Sequence, residues 1–332
     1  MNKQAKRWLG IVLAAGMLIG LCGCGAPKEN RKIRLCEVTH SIFYAPQYAA
    51  MELGYFTEEG LEVELSNGQG ADAVMAAVLS GSIDIGFAGP EASIYVYKEG
   101  KQDHTQVFAQ ITRRDGSFLL GREPEEDFTW ESVKGKHVLP GRKGGVPYMT
   151  LEHVLRENGV DPAEDTFLDT GVQYSLMTAA FTGGTGDYVT AFEPAASQLQ
   201  AEGKGYIVAS VGEAAGEVPY TAYFAKKSYL AENASLVEGF VRAIYRGQQW
   251  VAAHTPEEIA RLVAPDFPDT DMALLTKAVE SYQSIGAWNT TPEMSRESFD
   301  RLQTIMTEAG ELDSPVPFDA VVDNTIARKV IG

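Results

Sequence analysis

The chain has 332 residues, of which 45% are hydrophobic, and it carries a formal net charge of −17 at pH 7. This length is enough for two lobes with cores of their own. The acidic balance argues against nucleic-acid binding, which needs basic patches. The three cysteines and five histidines form neither a CxxC motif nor a metal-ligand spacing, which argues against a zinc or redox role. We therefore expect no cofactor and no metal.

The amino terminus has the pattern of an export signal. Three basic residues precede an uncharged run, Trp8–Cys22, which is shorter than the roughly 20 residues that span a bilayer as a helix. The letters LCGC at residues 21–24 resemble the lipobox of bacterial lipoproteins, whose second cysteine becomes the lipidated terminus. The resemblance implies a signal peptide over residues 1–23, lipidation at Cys24 and a tether over residues 24–32. An ordinary signal peptide is the alternative.

The first half of the chain alternates strand and helix patterns. Residues 33–35 and 61–65 alternate apolar and charged side chains, which is the period of half-buried strands. Between them a helix pattern begins near Pro46 and ends at Gly54. Further strand and helix patterns follow at SIDIGFAG, Pro90–Lys98, TQVFAQI and GSFLLGR. The alternation predicts an α/β fold with a largely parallel sheet.

The middle of the chain repeats this pattern, and the end becomes helical. The strand patterns are KHVLP, DTFLD, DYVTAF and YIVAS, with EVPYTAYFA extended after them. From Leu230 onward amphipathic helices predominate, one of them with Thr255 as N-cap before Pro256. The stretches GSIDIGFAGPE and GTGDYVTAFEP are alike, which suggests two lobes with equivalent helix ends.

Four prolines fall in the first turn of a predicted helix that follows a strand: Pro46, Pro90, Pro147 and Pro194. Proline is tolerated there because that N–H has no partner within the helix. Good helix initiation explains any one of them. Four in parallel contexts predict that helix N-termini from two lobes line a cleft at the carboxyl ends of strands, where α/β sheets bind ligands.

Three stretches, FYAPQYAAMELGYFTEEGLEVEL, GSIDIGFAG and GDYVTAFEPAA, resemble in this order the solute-binding proteins of ABC importers for nitrate, sulfonates, taurine and thiamine precursors. The resemblance covers roughly residues 33–250. It implies a type II periplasmic-binding-protein fold, in which two α/β lobes are joined by two hinge strands and the helical C-terminus returns to lobe 1. We expect lobe 1 to comprise residues 33–116 and 222–332, and lobe 2 to comprise residues 117–221.

The resemblance also implies which residues contact a ligand. They lie in four loops that precede helices and in the two hinge strands. The loop residues are Ser41, Phe43, Tyr44, Gly89, Glu91, Gly144, Gly145, Tyr148, Thr190 and Glu193, and the hinge residues are Ser117 and Tyr220. No catalytic residue is expected.

Two glutamates help to choose between ligand classes. Glu91 and Glu193 can each complement a helix dipole. If either faces the cleft, it disfavours a bare anion, because like charges would be desolvated together. Aromatic side chains nearby would offer flat stacking surfaces. The sequence therefore favours an aminopyrimidine-like or similar nitrogen-containing solute over alkanesulfonates, taurine and nitrate, although Arg113 or Arg114 could hold a sulfonate.

The resemblance implies a non-enzymatic protein with three partners: a small-molecule solute, the ABC permease subunits, and the membrane through the N-terminal lipid. We expect a monomer anchored on the extracytoplasmic side of the cell membrane. A ligand-sensing lipoprotein would use the same cleft. An enzyme similar to the eukaryotic pyrimidine synthase is disfavoured, because the chain lacks the cysteine-rich iron motif of that enzyme.

Overall fold

The computed structural model describes residues 31–332. The predicted signal peptide, the predicted lipidation site Cys24 and most of the predicted tether lie outside the described residues. Strand β1 begins at Arg31, so the last two residues assigned to the tether belong to the first strand instead. Within residues 31–332, no helix combines the length and the apolar character that crossing a membrane requires.

Five strands form the first sheet. They are β1 (Arg31–Glu37), β2 (Leu61–Asn67), β3 (Ile85–Ala88), β4 (Thr105–Thr112) and β10 (Thr221–Lys226), in the order β2-β1-β3-β10-β4. Strand β1 is parallel to β2 and β3, whereas β10 is antiparallel to β3 and β4. As the alternation predicts, Ile33 and Leu35 of β1 are buried, while Arg34 between them is exposed and pairs in register with Glu64 of β2.

The second sheet repeats this arrangement. Its strands are β5 (Ser117–Gly121), β6 (His137–Leu139), β7 (Phe167–Leu168), β8 (Tyr188–Phe192) and β9 (Tyr206–Ser210), in the order β7-β6-β8-β5-β9. Strand β6 is parallel to β7 and β8, and β5 is antiparallel to β8 and β9. In both sheets the antiparallel strand is fourth in the order, and β3 and β8, whose sequences are alike, occupy the same place.

Helices cover the sheets and form the C-terminal third. They are α1 (Ala45–Glu52), α2 (Tyr55–Glu58), α3 (Ala71–Ser80), α4 (Glu91–Lys98), α5 (Val146–Glu157), α6 (Met177–Thr182), α7 (Ala195–Ala201), α8 (Val211–Ala215), α9 (Lys227–Glu232), α10 (Ala234–Ala253), α11 (Pro256–Val263), α12 (Met272–Ser284), α13 (Arg296–Glu308), α14 (Phe318–Val321) and α15 (Thr325–Ile331). Short 3-10 turns occupy Ile42–Tyr44, Trp130–Val133, Tyr174–Leu176 and Ala264–Asp266.

The four prolines start helices as predicted. Pro46 and Pro147 are the second residues of α1 and α5, and Pro90 and Pro194 immediately precede α4 and α7 as N-caps. Each of these helices follows a strand of the first or second sheet. The amino ends of four helices are therefore placed at the carboxyl ends of β1, β3, β6 and β8.

The chain passes between the two sheets twice. It leaves β4 at Thr112 and enters β5 at Ser117, and it leaves β9 at Ser210 and enters β10 at Thr221. We call residues 113–116 the first crossing and residues 211–220 the second crossing. The expected division of the chain into lobes, at residues 117 and 222, lies at the ends of these crossings and stays a prediction.

The C-terminal helices pack mainly on the first lobe. Helix α10 lies against α1, α2 and α15, and α11 also lies against α1. Helix α13, however, packs against α5 of the second lobe, where His153 Nδ1 lies 2.7 Å from Glu308 Oε2. The C-terminus thus returns to lobe 1 as expected and also contacts lobe 2.

A glycine on α10 sets how closely that helix approaches α1. A Cβ at Gly247 would overlap the carbonyl oxygen of Pro46. We expect Gly247→Ala to lower the free energy of unfolding by about 1–3 kcal/mol, the usual cost of overpacking. The measurement is urea denaturation followed by circular dichroism.

The matched control is Gly239→Ala on the same helix, where the new Cβ would lie 3.4 Å from the Cβ of Glu59. That contact is ordinary, and alanine improves helix propensity by roughly 0.5–1 kcal/mol. Equal stability of the two variants would contradict the packing argument.

Candidate functional site

The carboxyl ends of β1 and β3 face those of β6 and β8 across the boundary between the lobes. The Tyr95 hydroxyl donates a hydrogen bond to the Gly144 carbonyl oxygen at 3.3 Å, and Arg142 pairs with Asp72 at 2.9 Å. Both contacts join the lobes. We call the buried boundary behind them the seam. Its residues are Phe43, Tyr44, Glu91, Asp115, Tyr174, Phe192, Tyr220 and Tyr282.

Phe43 is the centre of an aromatic cluster in the seam. Its ring centroid lies 5.9 Å from that of Phe192 in the second lobe, 5.7 Å from that of Tyr220 and 4.8 Å from that of Tyr282. A Cβ at Gly116, in the first crossing, would lie 2.7 Å from the Phe43 ring. The ring therefore contacts both lobes and both crossings.

Tyr44 lies beside Phe43 on the first-lobe side. Its ring meets Phe87 of β3 edge-on, with centroids 4.6 Å apart. Burial raises the pKa of the Tyr44 hydroxyl well above its usual value, opposed by a hydrogen bond with Thr221. Ser41 fixes the approach to both aromatic residues, because its Oγ accepts a hydrogen bond from the Phe43 N–H at 3.2 Å.

Glu91 brings a carboxyl group into the seam. The side chain is buried and folds back over Gly89, where a Cβ would overlap its carboxylate. Within residues 31–332, its Oε2 atom has no hydrogen-bond partner. Burial raises the pKa of Glu91 to about 7, and the amide groups of its own helix start and the charge of Arg142 oppose the shift. The cost of burying the Glu91 carboxylate is therefore only partly offset by hydrogen bonds and nearby charge.

Asp115, in the first crossing, is a second buried acid that the sequence analysis missed. Its Oδ1 atom accepts hydrogen bonds from the N–H and Oγ of Ser117, both at 2.6 Å. Its Oδ2 atom is buried and finds no partner in the described part of the chain. Burial raises the pKa of Asp115 to about 7, opposed by Ser117 and Tyr220. The available signal was an aspartate beside a glycine at the expected hinge, next to Arg113 and Arg114.

Two tyrosines complete the polar part of the seam. Tyr220, in the second crossing, is buried, and its hydroxyl makes no hydrogen bond to any described residue. Burial raises its pKa, and the charges of Asp115 and Glu91 add to the shift. Tyr174, which sequence reasoning missed, is 52% exposed and lies 6.2 Å from the Phe192 ring.

The residues at the start of α5 that were expected to contact a ligand have roles within the protein itself. Gly144 has a φ of 77°, a left-handed conformation that favours glycine, and Gly145 is the N-cap of the helix. The Tyr148 hydroxyl donates to Glu152 Oε1 at 3.0 Å, along the same helix. The polar end of Tyr148 is therefore already bound, and ligand contact by these three residues stays a prediction.

The predicted contacts from β8 are also bound within their own lobe. Both carboxylate oxygens of Glu193 accept hydrogen bonds from Ser197, one from its N–H at 2.9 Å and one from its Oγ at 2.7 Å. The Thr190 hydroxyl is 3.4 Å from the Leu139 carbonyl oxygen. Glu193 thus stabilises the start of α7. Its contact with a ligand stays a prediction, as does that of Thr190.

The two hinge arginines bind groups outside the seam. Arg113 donates from Nε to the Gly286 carbonyl oxygen at 3.1 Å and pairs with Glu217 at 3.0 Å. Arg114 donates from Nη1 to the Gly212 carbonyl oxygen at 3.5 Å. Arg113 would have to leave its present partners to hold an anion in the seam, whereas the Nε of Arg114 is buried without a hydrogen-bond partner among residues 31–332.

Two surface cavities lie outside the seam. One surface cavity of about 460 Å³ is lined by Tyr206 and the loop at residues 124–126, and another of about 360 Å³ by residues that include Gln110 and Asn289. Among residues 31–332, no cluster of three or more histidine, cysteine or acidic side chains is arranged to hold a metal ion. The lobes are in contact at the seam.

A charged network fixes the loop that leads to Phe43. The buried Glu37 accepts hydrogen bonds from Gln47 at 2.9 Å and from the Tyr48 hydroxyl at 2.8 Å, and its other oxygen lies 2.9 Å from His40 Nδ1. His40 Nε2 lies 2.9 Å from the Asp266 carbonyl oxygen. Both ring nitrogens face acceptors, which suits the imidazolium form. The hydrogen bond with Glu37 raises the pKa of His40.

We expect His40→Gln to be more destabilising at low pH than at high pH. The raised pKa of His40 means that its charge stabilises the fold fully below the unfolded value of about 6.5 and that this contribution is lost as the pH rises through the folded value. The free energy of unfolding of both proteins is measured between pH 5 and pH 9. The control is His254→Gln, whose Nδ1 lies 2.6 Å from one carbonyl oxygen, that of Trp250. A gap that stays constant with pH for His40→Gln would contradict the argument.

Glu91→Gln should show a different pH profile. The pKa of Glu91 is raised from its usual value to about 7, so its stabilising contribution is complete below about pH 4.5 and is lost as the pH rises to about 7. Each pKa unit is worth about 1.4 kcal/mol. We expect the variant to become more stable than the parent as the pH rises across this range. Glu131→Gln on the exposed surface is the control, and a profile like that control would contradict the assignment.

Comparisons with known proteins agree with this architecture. Residues 42–259 match the family model described as NMT1/THI5 like. YtlA of Bacillus subtilis (strain 168), named as a candidate binding protein, is 40% identical over 330 residues, which cover 99% of each chain.

Solved structures share the fold at low sequence identity. The alkanesulfonate-binding protein SsuA from Xanthomonas axonopodis pv. citri has a TM-score of 0.69 at 16% identity, covering 90% of this chain and 99% of that one. The nitrate-binding protein NrtA from Synechocystis PCC 6803 has a TM-score of 0.69 at 18% identity, covering 91% and 88%. The desulfurization enzyme DszB reaches 0.65 at 15% identity, covering 91% and 99%.

These likenesses confirm the periplasmic-binding-protein fold expected from the sequence. Because the fold also occurs in an enzyme, it does not by itself decide the activity. The family model covers well over half of the chain, and the Bacillus relative covers almost all of it. The chain belongs to the NMT1/THI5-like family.

Proposed function

We propose that this protein is the extracytoplasmic solute-binding component of an ABC importer and that it captures a small nitrogen-containing organic solute, such as an aminopyrimidine, in the seam. The observation that carries the ligand class is the pair of buried acids. Glu91 and Asp115 each have an oxygen atom that no described residue hydrogen-bonds. Native proteins seldom leave buried polar atoms unpaired, and ligand sites are a frequent exception.

The charge of the seam favours a donor over an anion. With pKa values of about 7, both acids are partly ionised at neutral pH. A ligand with N–H groups or a positive charge would form charge-assisted hydrogen bonds to them. A nitrate or sulfonate would add a further negative charge to a desolvated acidic site, which is costly unless both acids are protonated.

The aromatic side chains favour a flat solute. Phe43, Tyr44, Phe192 and Tyr220 line the seam from both lobes. A heteroaromatic ring that enters between them would replace contacts between the lobes with stacking and edge contacts of its own. Ligand binding would then favour the closed arrangement, with motion at the two crossings, and the permease would recognise that closed state.

Delivery to the permease is the other part of the proposal. The LCGC motif supports lipidation at Cys24 and anchoring on the outer side of the cell membrane, where the tethered protein would act as a monomer at a high effective concentration near the permease. The Bacillus relative, named as a candidate binding protein, supports a non-enzymatic role.

Alkanesulfonate or taurine is the second candidate ligand. It is favoured by the name of one structural neighbour, the alkanesulfonate-binding protein SsuA. Arg113 and Arg114 are the cations within the first crossing. Since both are bound to carbonyl oxygens outside the seam, this candidate ranks below a nitrogen-containing solute.

Thermal unfolding of the chain without its signal peptide tests the ligand class. The panel contains a hydroxymethyl-aminopyrimidine, taurine, ethanesulfonate, nitrate and amino acids. A ligand at about 100 times its dissociation constant adds about 2.7 kcal/mol to stability, which raises Tm by several degrees. We expect the aminopyrimidine to raise Tm and the anions to leave it unchanged. A rise with ethanesulfonate, taurine or nitrate alone would contradict the proposed ligand class.

A further inference from the structure

The two crossings bring an acid and a phenol together at the hinge. Asp115 lies in the first crossing and Tyr220 in the second, and both adjoin Phe43, whose ring lies 5.7 Å from that of Tyr220 and packs on Gly116, the residue after Asp115. The Tyr220 hydroxyl opposes the rise that burial causes in the pKa of Asp115, and the Asp115 charge adds to the rise that burial causes in the pKa of Tyr220. Yet Asp115 Oδ2 and the Tyr220 hydroxyl do not meet at the distance and angle of a hydrogen bond, and both atoms are buried without a partner among residues 31–332. The two side chains therefore lie close together without forming a hydrogen bond.

The acid is held in place from several sides. Ser117 binds its Oδ1 atom twice, and a Cβ at Gly212 would overlap the Asp115 carbonyl oxygen. Gly116 packs against the Phe43 ring. These contacts restrict the direction in which Oδ2 points. An acceptor held in this way, without a partner among residues 31–332, is preorganised for a donor.

We infer that Asp115 and Tyr220 together anchor the solute at the hinge, with an N–H group of the solute donating to Asp115 Oδ2 and the Tyr220 hydroxyl binding the same group or its neighbour. This inference rests on the proposed function and narrows it to a particular contact. Because the two residues belong to the two crossings, the solute would join the hinge segments directly. The contact would then stabilise the closed arrangement of the lobes as well as select the solute.

Proton exchange distinguishes this contact from the binding of an anion. An N–H donor favours the ionised form of Asp115, so binding at pH 7 releases a proton. An anion or a bare acceptor favours the protonated form, so binding takes a proton up. The direction of exchange therefore reports whether a donor or an anion meets the two acids of the seam, Asp115 and Glu91, and the part lost in Asp115→Asn reports the contact with Asp115.

The test is isothermal titration calorimetry in phosphate and in Tris at pH 7, which gives affinity and proton exchange together. The probes are a hydroxymethyl-aminopyrimidine and ethanesulfonate. We expect Asp115→Asn to weaken aminopyrimidine binding at least tenfold and to reduce the proton release seen with the parent, leaving only the share that comes from Glu91, whose pKa is also about 7. Asp187→Asn is the matched control, because Asp187 precedes β8 at the end opposite the seam and accepts from the His137 N–H at 2.9 Å.

Tyr220→Phe provides a second test in case Asp115→Asn fails to fold. It removes a hydroxyl that has no partner in the described chain, so stability should be unchanged or slightly higher. Aminopyrimidine affinity should nevertheless fall severalfold.

Parent-like affinity in both variants would overturn the anchor while leaving the importer role intact. Binding of ethanesulfonate alone, with proton uptake, would overturn both the anchor and the proposed ligand class. A parent protein that binds neither probe would count against both as well.

Discussion

The packing of the Phe43 ring against Gly116 is the contact on which the arrangement of the two lobes depends. The ring comes from the loop after β1, while the glycine belongs to the first crossing, and a side chain at residue 116 would overlap the ring. The same ring touches Phe192 of the second lobe and Tyr220 of the second crossing. One aromatic ring thus contacts both hinge segments and both lobes, and the polar groups of the seam lie around it.

Those polar groups are arranged at a cost to stability. Glu91 and Asp115 are buried without a directly bonded cation among the described residues. Burying these carboxylates carries a desolvation penalty that amides in the same positions would avoid. Glu193, by contrast, is buried with both oxygens bound by Ser197. The comparison separates an acid that stabilises its own helix from two acids whose bonding is incomplete and calls for an explanation such as a bound ligand, ion or water.

More of the fold than of the candidate site could be predicted from the sequence. Hydrophobic alternation located the strands, and the prolines located the four helix starts, because both signals are local properties of the chain. Asp115 and Tyr174 were missed because their position in the seam depends on how the crossings and the second lobe meet, which no local pattern records. The partners of Tyr148 and Glu193 were missed for the opposite reason. Both bind residues four positions further along, and the family resemblance drew attention to the cleft instead.

The shared strand order has a consequence for synthesis of the chain. The second sheet uses only strands β5 to β9, which are contiguous, so it can be completed as soon as residue 210 has left the ribosome. The first sheet cannot, because β10 lies between β3 and β4 and is made after the whole second sheet. Until then β4 has no neighbour in its own sheet. Contacts that join distant parts of the chain form late, so the lobe that begins first is expected to be finished last.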